Sequence, residues 1–502
     1  MNHWIALPFL IPFMSAIFIE LVGRRRIMLR RGMGFVACLA TIAAGASMIG
    51  RTRTGEIYTY AMGGWEAPFG VVLVADGLSA LLVTLTAVVS LFCLLYAMNG
   101  HDEKGKFFHF FLQMQVAGIC GAVLTGDLFS LFVCFEIMLL SSYNLLVYTG
   151  EKRGIKAGVH YVILNLAGSA LFLVAIGTLY GVTGTLNLAD MAIRVSELGP
   201  QDKALANAGA LLLMVVFLLK AAVLPMHLWL PNVYGSAVAP VAAFFAILTK
   251  VGVYSILRVS TLIFGPEAGV AADAVEPYLL PLAVLTLALG MVGVVGSTHL
   301  RKMMGYLIVA SIGTMLMSIG LFTAEGIAAG VYYLVHSTLV MAMLFLLADL
   351  IGRQRGVEDD RLVVAAAPTQ TAILGLLFFV GAIAASGLPP LSGFLGKVWV
   401  LQASLATQSV VAVWAVILVT SVLALIALSR AGSLIFWKGQ PVADGEAHRG
   451  ATALELLPVI GLLGCLVAYT VFSGPVTDFC VVIAENLLAP AGYIEAVMGE
   501  RP

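Results

Sequence analysis

The sequence predicts an all-α polytopic membrane protein with about 14 transmembrane helices in a single integral domain, residues 1–502. Of its residues 61% are hydrophobic and 11% are charged, and the mean hydropathy is +1.02. A soluble chain carries about 25% charged residues. Apolar segments long enough to cross a bilayer, about 20 residues each, recur along the whole chain with short polar intervals. Together these observations favour a helical bundle embedded in a membrane.

The spans follow from those segments. The N-terminal segment MNHWIALPFLIPFMSAIFIELVGRRR lacks a basic n-region and a cleavage site, so we predict a first span and not a removable leader. The tail after residue 473 is mixed in character and is expected at the surface. The predicted spans are 4–22, 33–50, 76–97, 107–125, 128–148, 158–182, 206–228, 237–258, 277–297, 303–321, 325–351, 371–401, 410–430 and 453–473.

The distribution of basic residues predicts the orientation. With the N-terminus outside, 18 Lys and Arg residues fall in inside loops, Arg24 and Arg25 among them. Six fall in outside loops and the tail: Arg51, Arg53, Arg194, Lys203, Arg258 and Arg501. Basic residues accumulate in cytoplasmic loops. The sequence therefore predicts an even number of spans, with both termini outside.

The sequence carries no signal for nucleic-acid binding, nucleotide hydrolysis or a bound cofactor. The 27 basic and 27 acidic residues cancel, and no GxxxxGK[ST] loop is present. The cysteines are dispersed, with no CxxC and no His/Cys pairing, so neither a disulfide framework nor an iron–sulfur site is expected. We expect no metal and no cofactor. The six cysteines are Cys38, Cys93, Cys120, Cys134, Cys465 and Cys480.

Two spans are predicted to be broken. The first carries Pro225 and Pro231, and the second carries Pro389 and Pro390. Proline removes a backbone donor and clashes with the preceding turn. At membrane depth the freed backbone groups are tolerated only against protein or in a wet cavity. Broken helices in both halves of a chain are typical of inverted-repeat transporters, although the two halves align here only at their Leu-Pro breaks.

Four ionisable residues interrupt apolar spans: Glu136, Lys220, Lys250 and Lys397. A charge at the centre of a bilayer costs at least ~2.5 kcal/mol on insertion scales, so it is seldom kept without a use. A carboxylate near a lysine holds the proton on that lysine, whereas desolvation releases it. The set therefore indicates a proton relay. The alternatives are a structural ion pair for Glu136 and snorkelling to the interface for Lys220 and Lys397.

His227 and His336 are the two histidines in apolar, buried context. Histidine titrates near neutral pH and can bridge water chains, so both are candidates for the relay. A satisfied core histidine is an equally good interpretation of each. His109 and His160 lie near span starts and are expected at the interface.

The stretch from Lys220 to Lys250, KAAVLPMHLWLPNVYGSAVAPVAAFFAILTK, resembles the signature of the proton-translocating antiporter-like family. That family includes large membrane subunits of respiratory complex I and of the Mrp-type (Pha-type) multisubunit cation/proton antiporters. GDLFSLFVCFEIMLLSSYNLLV, YYLVHSTLVMAMLFLLADL and GLPPLSGFLGK are its other hallmarks. The resemblance covers about residues 70–435 and is greatest to the D-type subunits of the Mrp antiporters.

The resemblance implies two inverted five-helix repeats and a bacterial inner-membrane location. It implies that Glu136, Lys220, Lys250 and Lys397 form a mid-membrane axis that His227 and His336 help to connect. Many relatives carry a lysine four or five residues after the histidine that matches His336. Here those positions are Val340 and Met341, so His336 or water would have to serve.

The resemblance leaves competing functions open. The first is an ion-translocating subunit, not an enzyme, of a sodium or potassium/proton antiporter, with other membrane subunits as partners. The second is a proton-pumping subunit of a redox enzyme, such as complex I or a membrane-bound hydrogenase. A more distant third is a component of an inorganic-carbon uptake system.

Overall fold

The computed structural model describes residues 2–23, 26–272, 274–439 and 449–499. Arg24, Arg25 and Arg501, which are among the basic residues counted for the orientation, lie outside the described residues. The described chain is helical apart from one short hairpin, in which β1 (Tyr58–Ala61) pairs antiparallel with β2 (Val72–Ala75). The apolar pattern of the sequence did not predict this hairpin.

The first half of the chain contains eleven α-helices among the described residues. They are α1 (Leu7–Val22), α2 (Ile27–Thr52), α3 (Gly77–Ala97), α4 (Phe108–Leu124), α5 (Leu128–Val147), α6 (Lys152–Thr183), α7 (Leu188–Ser196), α8 (Lys203–Ala221), α9 (Trp229–Ser236), α10 (Ala239–Phe245) and α11 (Leu248–Leu262).

The second half adds nine in its described part. They are α12 (Glu276–Gly296), α13 (Leu300–Ile319), α14 (Ala324–Arg353), α15 (Thr371–Ser386), α16 (Ser392–Ser404), α17 (Val410–Gly432), α18 (Ala453–Val471), α19 (Ser473–Leu488) and α20 (Pro490–Met498).

The helices account for the predicted spans. Within the described ranges, 12 helices are long and apolar enough to cross a membrane, or 13 if the bent pair α19–α20 is one span. Each of these 12 overlaps a predicted span. The other two predicted spans match apolar helices that are shorter, α4 and α15, so the number 14 depends on including both.

Helix α14 forms the centre of the bundle. All its residues from 326 to 352 are buried, as expected for a helix that is apolar around its whole circumference. At 1.5 Å per residue its 30 residues extend over about 45 Å, the thickness of a bilayer with its headgroups. By contrast, α1 and α17 expose large apolar side chains such as Phe18 and Val411, which suits contact with lipid.

Two consecutive sets of five spans have the same arrangement along the chain. The first is α4, α5, α6, α8–α9 and α10–α11, and the second is α12, α13, α14, α15–α16 and α17. Both sets begin with a tight helix pair: a Cβ on Gly118 would lie 2.7 Å from Met138 N, and one on Gly290 would lie 2.8 Å from Ala310 N. In each set, the turn after the first helix pairs with the segment after the third helix through an isolated β-bridge. The bridges are Asp127 with Asn187 and His299 with Arg361. Because each set makes five crossings, the second begins on the opposite side of the membrane.

The tail after residue 473 does not simply lie at the surface, as the sequence suggested. Helix α19 packs against α14 and buries Phe479, Cys480 and Ile483. Helix α20 turns away from α19 by 73°. The buried side chains of α19 recur at intervals of three or four residues, which a count of mean polarity does not register.

Arg258 was counted among the outside loop residues, and this placement is wrong. It lies inside α11, is 5% exposed and forms an ion pair with Asp76, the N-cap of α3. The rings of Tyr254 and Tyr493 lie 5.5 and 5.1 Å from its guanidinium carbon. A charged group needs such partners when it is buried.

At the opposite end of the bundle, an ionic network connects the early helices to the second set. Asp349 on α14 lies 3.0 Å from Arg353 Nε and 3.4 Å from Arg301 Nη2. Tyr96 at the end of α3 donates to Asp349 Oδ2 at 2.7 Å, and His101 Nε2 lies 3.5 Å from the same oxygen. These contacts tie α3, α13 and α14 together at one face of the protein.

His109, near the start of α4, belongs to a second buried cluster at this face. Arg31 donates to both carboxylate oxygens of Asp102, at 2.7 and 2.8 Å, and His109 Nε2 lies 2.9 Å from Asp102 Oδ2. Burial by itself would raise the pKa of Asp102, but the hydrogen bonds and charges of Arg31 and His109 outweigh it and lower the pKa to about 2.

Candidate functional site

The first helix break releases the chain immediately after Lys220. Helix α8 ends at Ala221, Ala222 takes a left-handed conformation with φ +58°, and Pro225 lies in the break. Leu219 O, near the end of α8, accepts hydrogen bonds from the N–H of Ala222 at 3.1 Å and from Trp229 Nε1 at 3.3 Å. Pro231 lies in the first turn of α9, where a missing N–H leaves no helical bond unmade.

The second break separates α15 from α16 and contains Pro389 and Pro390. Gly387 ends α15 with φ +77°, a conformation that glycine adopts without strain. Its N–H and that of Leu388 both donate to Ile383 O, at 3.2 and 3.0 Å. The other side of the break is held by Ser392, whose N–H donates to Thr470 Oγ1 on α18 at 3.0 Å.

Glu136 and Lys220 meet at helix α6. Ser169 donates its hydroxyl to Glu136 Oε1 in a short hydrogen bond. Lys220, which is 5% exposed, donates from Nζ to Ser169 Oγ at 3.4 Å, to Asn165 Oδ1 at 3.3 Å and to Asn165 O at 3.4 Å. The two charged residues are thus brought together through a third helix.

Lys250 lies on the helix packed directly against that of Lys220. A Cβ added at Gly252 would lie 2.7 Å from Ala221 N, so α11 and α8 approach closely next to both lysines. Lys250 is fully buried, and within the described ranges its Nζ has no hydrogen-bond partner; the same is true of the Thr249 hydroxyl beside it. A buried amine without a partner favours its neutral form.

His227 lies in the first break, in a short 3-10 turn, and is 7% exposed. Its Nδ1 is buried without a hydrogen-bond partner in the described part of the chain. The structure therefore brings no protein partner to this atom. It leaves His227 near the end of α8, six residues beyond the buried Ala221.

His336 and Lys397 line one small cavity. Its volume is about 20 Å³, and Ser311, Thr314 and Thr420 also line it. A polar cavity of this size holds about one water molecule. Val340 and Met341, where many relatives have a lysine, are part of the same wall.

The two cavity residues are each fixed by contacts across the second break. His336 Nδ1 lies 2.9 Å from Ser392 Oγ. Lys397 Nζ donates to Ser386 O at 2.8 Å and to Ser421 Oγ at 2.9 Å. Ser386 is the last residue of α15, so the lysine lies at the partial negative charge of a helix C-terminus.

The structure thus places five of the six candidates in three groups, and His227 stands apart in the first break. Glu136 and Lys220 share Ser169, Lys250 follows across the α8–α11 contact, and His336 shares a cavity with Lys397. Helix α10, which leads into α11, packs against α14, the helix that carries His336. Sequence reasoning missed the serines and the asparagine that hold these groups in place. The one available signal was the i, i+4 spacing of Asn165 and Ser169 within an apolar helix.

Comparison with known proteins finds a matching family. A family model described as "NADH:quinone oxidoreductase/Mrp antiporter, TM" matches residues 125–424, which include both helix breaks and all six candidates. The matched region begins in the turn between α4 and α5 and ends within α17.

Two curated relatives match over nearly their whole length. One, from Rhizobium meliloti, is named as the D subunit of a probable K(+)/H(+) antiporter and is 37% identical, over 99% of this chain and 98% of the relative. The other, from Alkalihalophilus pseudofirmus, is named as the D subunit of a Na(+)/H(+) antiporter and is 34% identical over 100% of both chains.

Among solved structures, a chain of the Mrp complex from Dietzia sp. DQ12-45-1b is similar to this one, with a TM-score of 0.89 and 27% identity. The match covers 99% of this chain and 100% of that one. The chain belongs to the NADH:quinone oxidoreductase/Mrp antiporter membrane-subunit family.

Proposed function

We propose that this protein is the D-type subunit of a multisubunit Na⁺/H⁺ or K⁺/H⁺ antiporter, and that it passes protons between buried side chains in the middle of the membrane. Relatives that match over the full length are named as D subunits of such antiporters, and the similar solved chain belongs to an Mrp complex. It is a transporter subunit and not an enzyme. Its partners are the other membrane subunits of the complex.

The observation that carries the proposal is the set of three buried lysines at broken or interrupted helices. Lys220 and Lys397 each lie beside a break, and Lys250 lies two residues beyond the start of α11, where the chain is interrupted after α10. All three are less than 10% exposed. Because burial penalises the charged form of an amine, a small change in its surroundings moves the proton on or off.

The contacts support the following order of proton steps. With the Glu136 carboxylate held near by Ser169, Lys220 keeps its proton. Removal of that charge lets Lys220 release it, and Lys250, on the adjacent helix and without a partner among the described residues, is the next acceptor. His336 and the one-water cavity lead to Lys397, where Ser386 O stabilises the charged ammonium. His227 lies at the first break, in the turn that contacts α8.

Orientation and domain organisation are part of the proposal. We place both termini outside in a bacterial inner membrane, with the face that contains Asp102 and Asp349 toward the cytoplasm, because its loops hold most of the basic residues. Arg258 no longer counts as an outside loop residue, so the excess of basic residues in the inside loops becomes larger. The whole chain is taken as one integral domain, with about residues 70–435 as the antiporter-like core. In intact cells, a membrane-impermeant thiol reagent should label a cysteine introduced at Thr54 and should not label one introduced at Lys104.

The alternative is a proton-pumping subunit of a redox enzyme, in which partner chains would drive the same side chains by electron transfer. The full-length relatives named as antiporter subunits favour the first function. Purification of the complex in mild detergent separates the two, because small hydrophobic antiporter subunits should accompany this chain and no iron–sulfur or flavin subunit should. By itself the chain should not exchange cations for protons in antiporter-deficient vesicles.

Replacement of Lys250 in the assembled complex tests the proposal. Lys250→Ala should abolish cation-induced proton movement in everted vesicles while the complex still assembles. Lys250→Arg should also fail, since a guanidinium stays charged at any working pH and cannot release a proton. Lys203→Met, at the exposed start of α8, is the control and should transport normally. Normal transport by Lys250→Arg would show that Lys250 carries no proton.

A further inference from the structure

The Glu136–Lys220 pair has a third member that separates the two charged groups. In the described residues no nitrogen–oxygen contact within 4.0 Å joins Glu136 and Lys220. Instead, the hydroxyl of Ser169 touches both: it donates to Glu136 Oε1 and accepts from Lys220 Nζ. A serine hydroxyl has one hydrogen to donate and two lone pairs to accept, so it can hold both bonds at once.

We propose that the Ser169 hydroxyl conducts the proton between Lys220 and Glu136. This inference rests on the proposed function and adds a branch to it: Lys220 can pass its proton to Glu136 instead of to Lys250, so Glu136 also accepts a proton and does not act only through its charge. The Lys220 ammonium gives its hydrogen-bonded proton to Ser169 Oγ, and in the same step Ser169 gives its own hydroxyl hydrogen to Glu136 Oε1. Lysine becomes neutral, serine is unchanged and the carboxylate becomes a carboxylic acid, so charge and atoms balance.

Asn165 holds the lysine in the position that this transfer requires. Its main-chain carbonyl and its side-chain Oδ1 both accept from Lys220 Nζ. The orientation of the amide is fixed because Nδ2 donates to Tyr161 O at 3.0 Å. Asn165 is therefore a positioning residue, and it directs one Nζ hydrogen toward Ser169.

Helix α6 carries every contact in this bridge. Asn165 and Ser169 are four residues apart and share one face of the helix, so movement of α6 would change both ends of the bridge together. Gly168 lets α6 approach α8 closely, since a Cβ there would lie 2.5 Å from Leu219 Cδ2 and 3.8 Å from Lys220 Nζ. The opposite face of α6 exposes Ile163 and Val174. The bridge thus lies on a helix at the edge of the bundle.

A matched pair of substitutions tests the hydroxyl. Threonine and valine have the same shape and differ in a hydroxyl against a methyl group. In the assembled complex, Ser169→Thr should retain most of the exchange rate in everted vesicles, and Ser169→Val should lower it by about tenfold or more, since a bond to a charged group is lost. Ser169→Ala, which adds no bulk, should fall with Ser169→Val. Thr178→Val on the same helix, where the hydroxyl bonds only Val174 O among the described residues, should behave as the unsubstituted protein.

The outcomes separate this inference from the proposed function. If Ser169→Ala keeps the normal rate while Glu136→Gln does not, the bridge is wrong and the relay stands. If neither Glu136→Gln nor Lys220→Met changes the rate, the proposed function itself is wrong. If both Ser169→Thr and Ser169→Val lose exchange, Ser169→Ala decides. A normal exchange rate in Ser169→Ala overturns the inference, and loss of exchange in Ser169→Ala supports it.

Discussion

The second helix break offers a test in which one methyl group displaces a relay lysine. Gly387 has φ +77°, and a Cβ there would lie 2.7 Å from Lys397 Cδ and 3.2 Å from its Nζ. Contacts that close do not persist, so Gly387→Ala must move either the turn or the lysine. The backbone carbonyl of the neighbouring Ser386 and the hydroxyl of Ser421 are the groups from which Lys397 would be moved.

Two free-energy costs determine the size of the effect of Gly387→Ala. A non-glycine residue in the left-handed region costs about 1–2 kcal/mol. Loss of one of the two hydrogen bonds from the Lys397 ammonium costs about 1.5–3 kcal/mol. The first term lowers the stability of the fold. The second acts on the lysine, and at about 1.4 kcal/mol per tenfold it corresponds to a drop in exchange of at least about tenfold.

The assay is cation-induced pH change in everted vesicles, together with the thermal stability of the purified complex. Gly464→Ala is the control: it lies in α18, and a Cβ there would meet no atom of the described residues within 4 Å. This control should leave both measurements unchanged or slightly raise the stability. Ser421→Ala, which removes one acceptor without straining the backbone, should lower exchange in the same direction. Normal exchange in both Gly387→Ala and Ser421→Ala would refute the placement of Lys397 in the pathway.

Two further predictions concern packing and pH. The lowered pKa of Asp102 means that its carboxylate stabilises the fold above its unfolded pKa of 3.8, and that this stability is lost as the pH falls from there to about 2. Asp102→Asn should therefore lower the stability of the complex by about 2 kcal/mol in thermal melts at about pH 7, and an unchanged melting temperature would contradict this. Gly252→Ala should force α11 away from Ala221 N and lower exchange without blocking assembly. Gly181→Ala, whose Cβ would meet no atom within 4 Å among the residues that the structure describes, should leave exchange unchanged.

The sequence predicted the residues whose placement depends on chain-local rules. Pro225, Pro389 and Pro390 break helices because proline cannot complete a helical turn. Glu136 and Lys250 stood out because a charge within an apolar span needs a reason. Neither argument requires knowledge of which helices are neighbours.

What the sequence did not predict depends on helix packing. Ser169 matters only because α6 lies between α5 and α8, and nothing in its local sequence sets it apart from a serine that bonds its own helix. Arg258 was assigned to a loop because its partner, Asp76, is 182 residues away. The buried face of α19 depends likewise on α14. These contacts join distant parts of the chain, which periodicity does not reveal.

A double-mutant cycle on Glu136 and Lys220 tests the central claim most directly. Exchange is measured with the assembled complex in everted vesicles for Glu136→Gln, Lys220→Met and the double variant. If the two residues form one switch, each single substitution lowers exchange sharply and the double variant is no worse than the worse single one. Losses that multiply in the double variant would show that Glu136 and Lys220 act in separate steps, and would contradict the account.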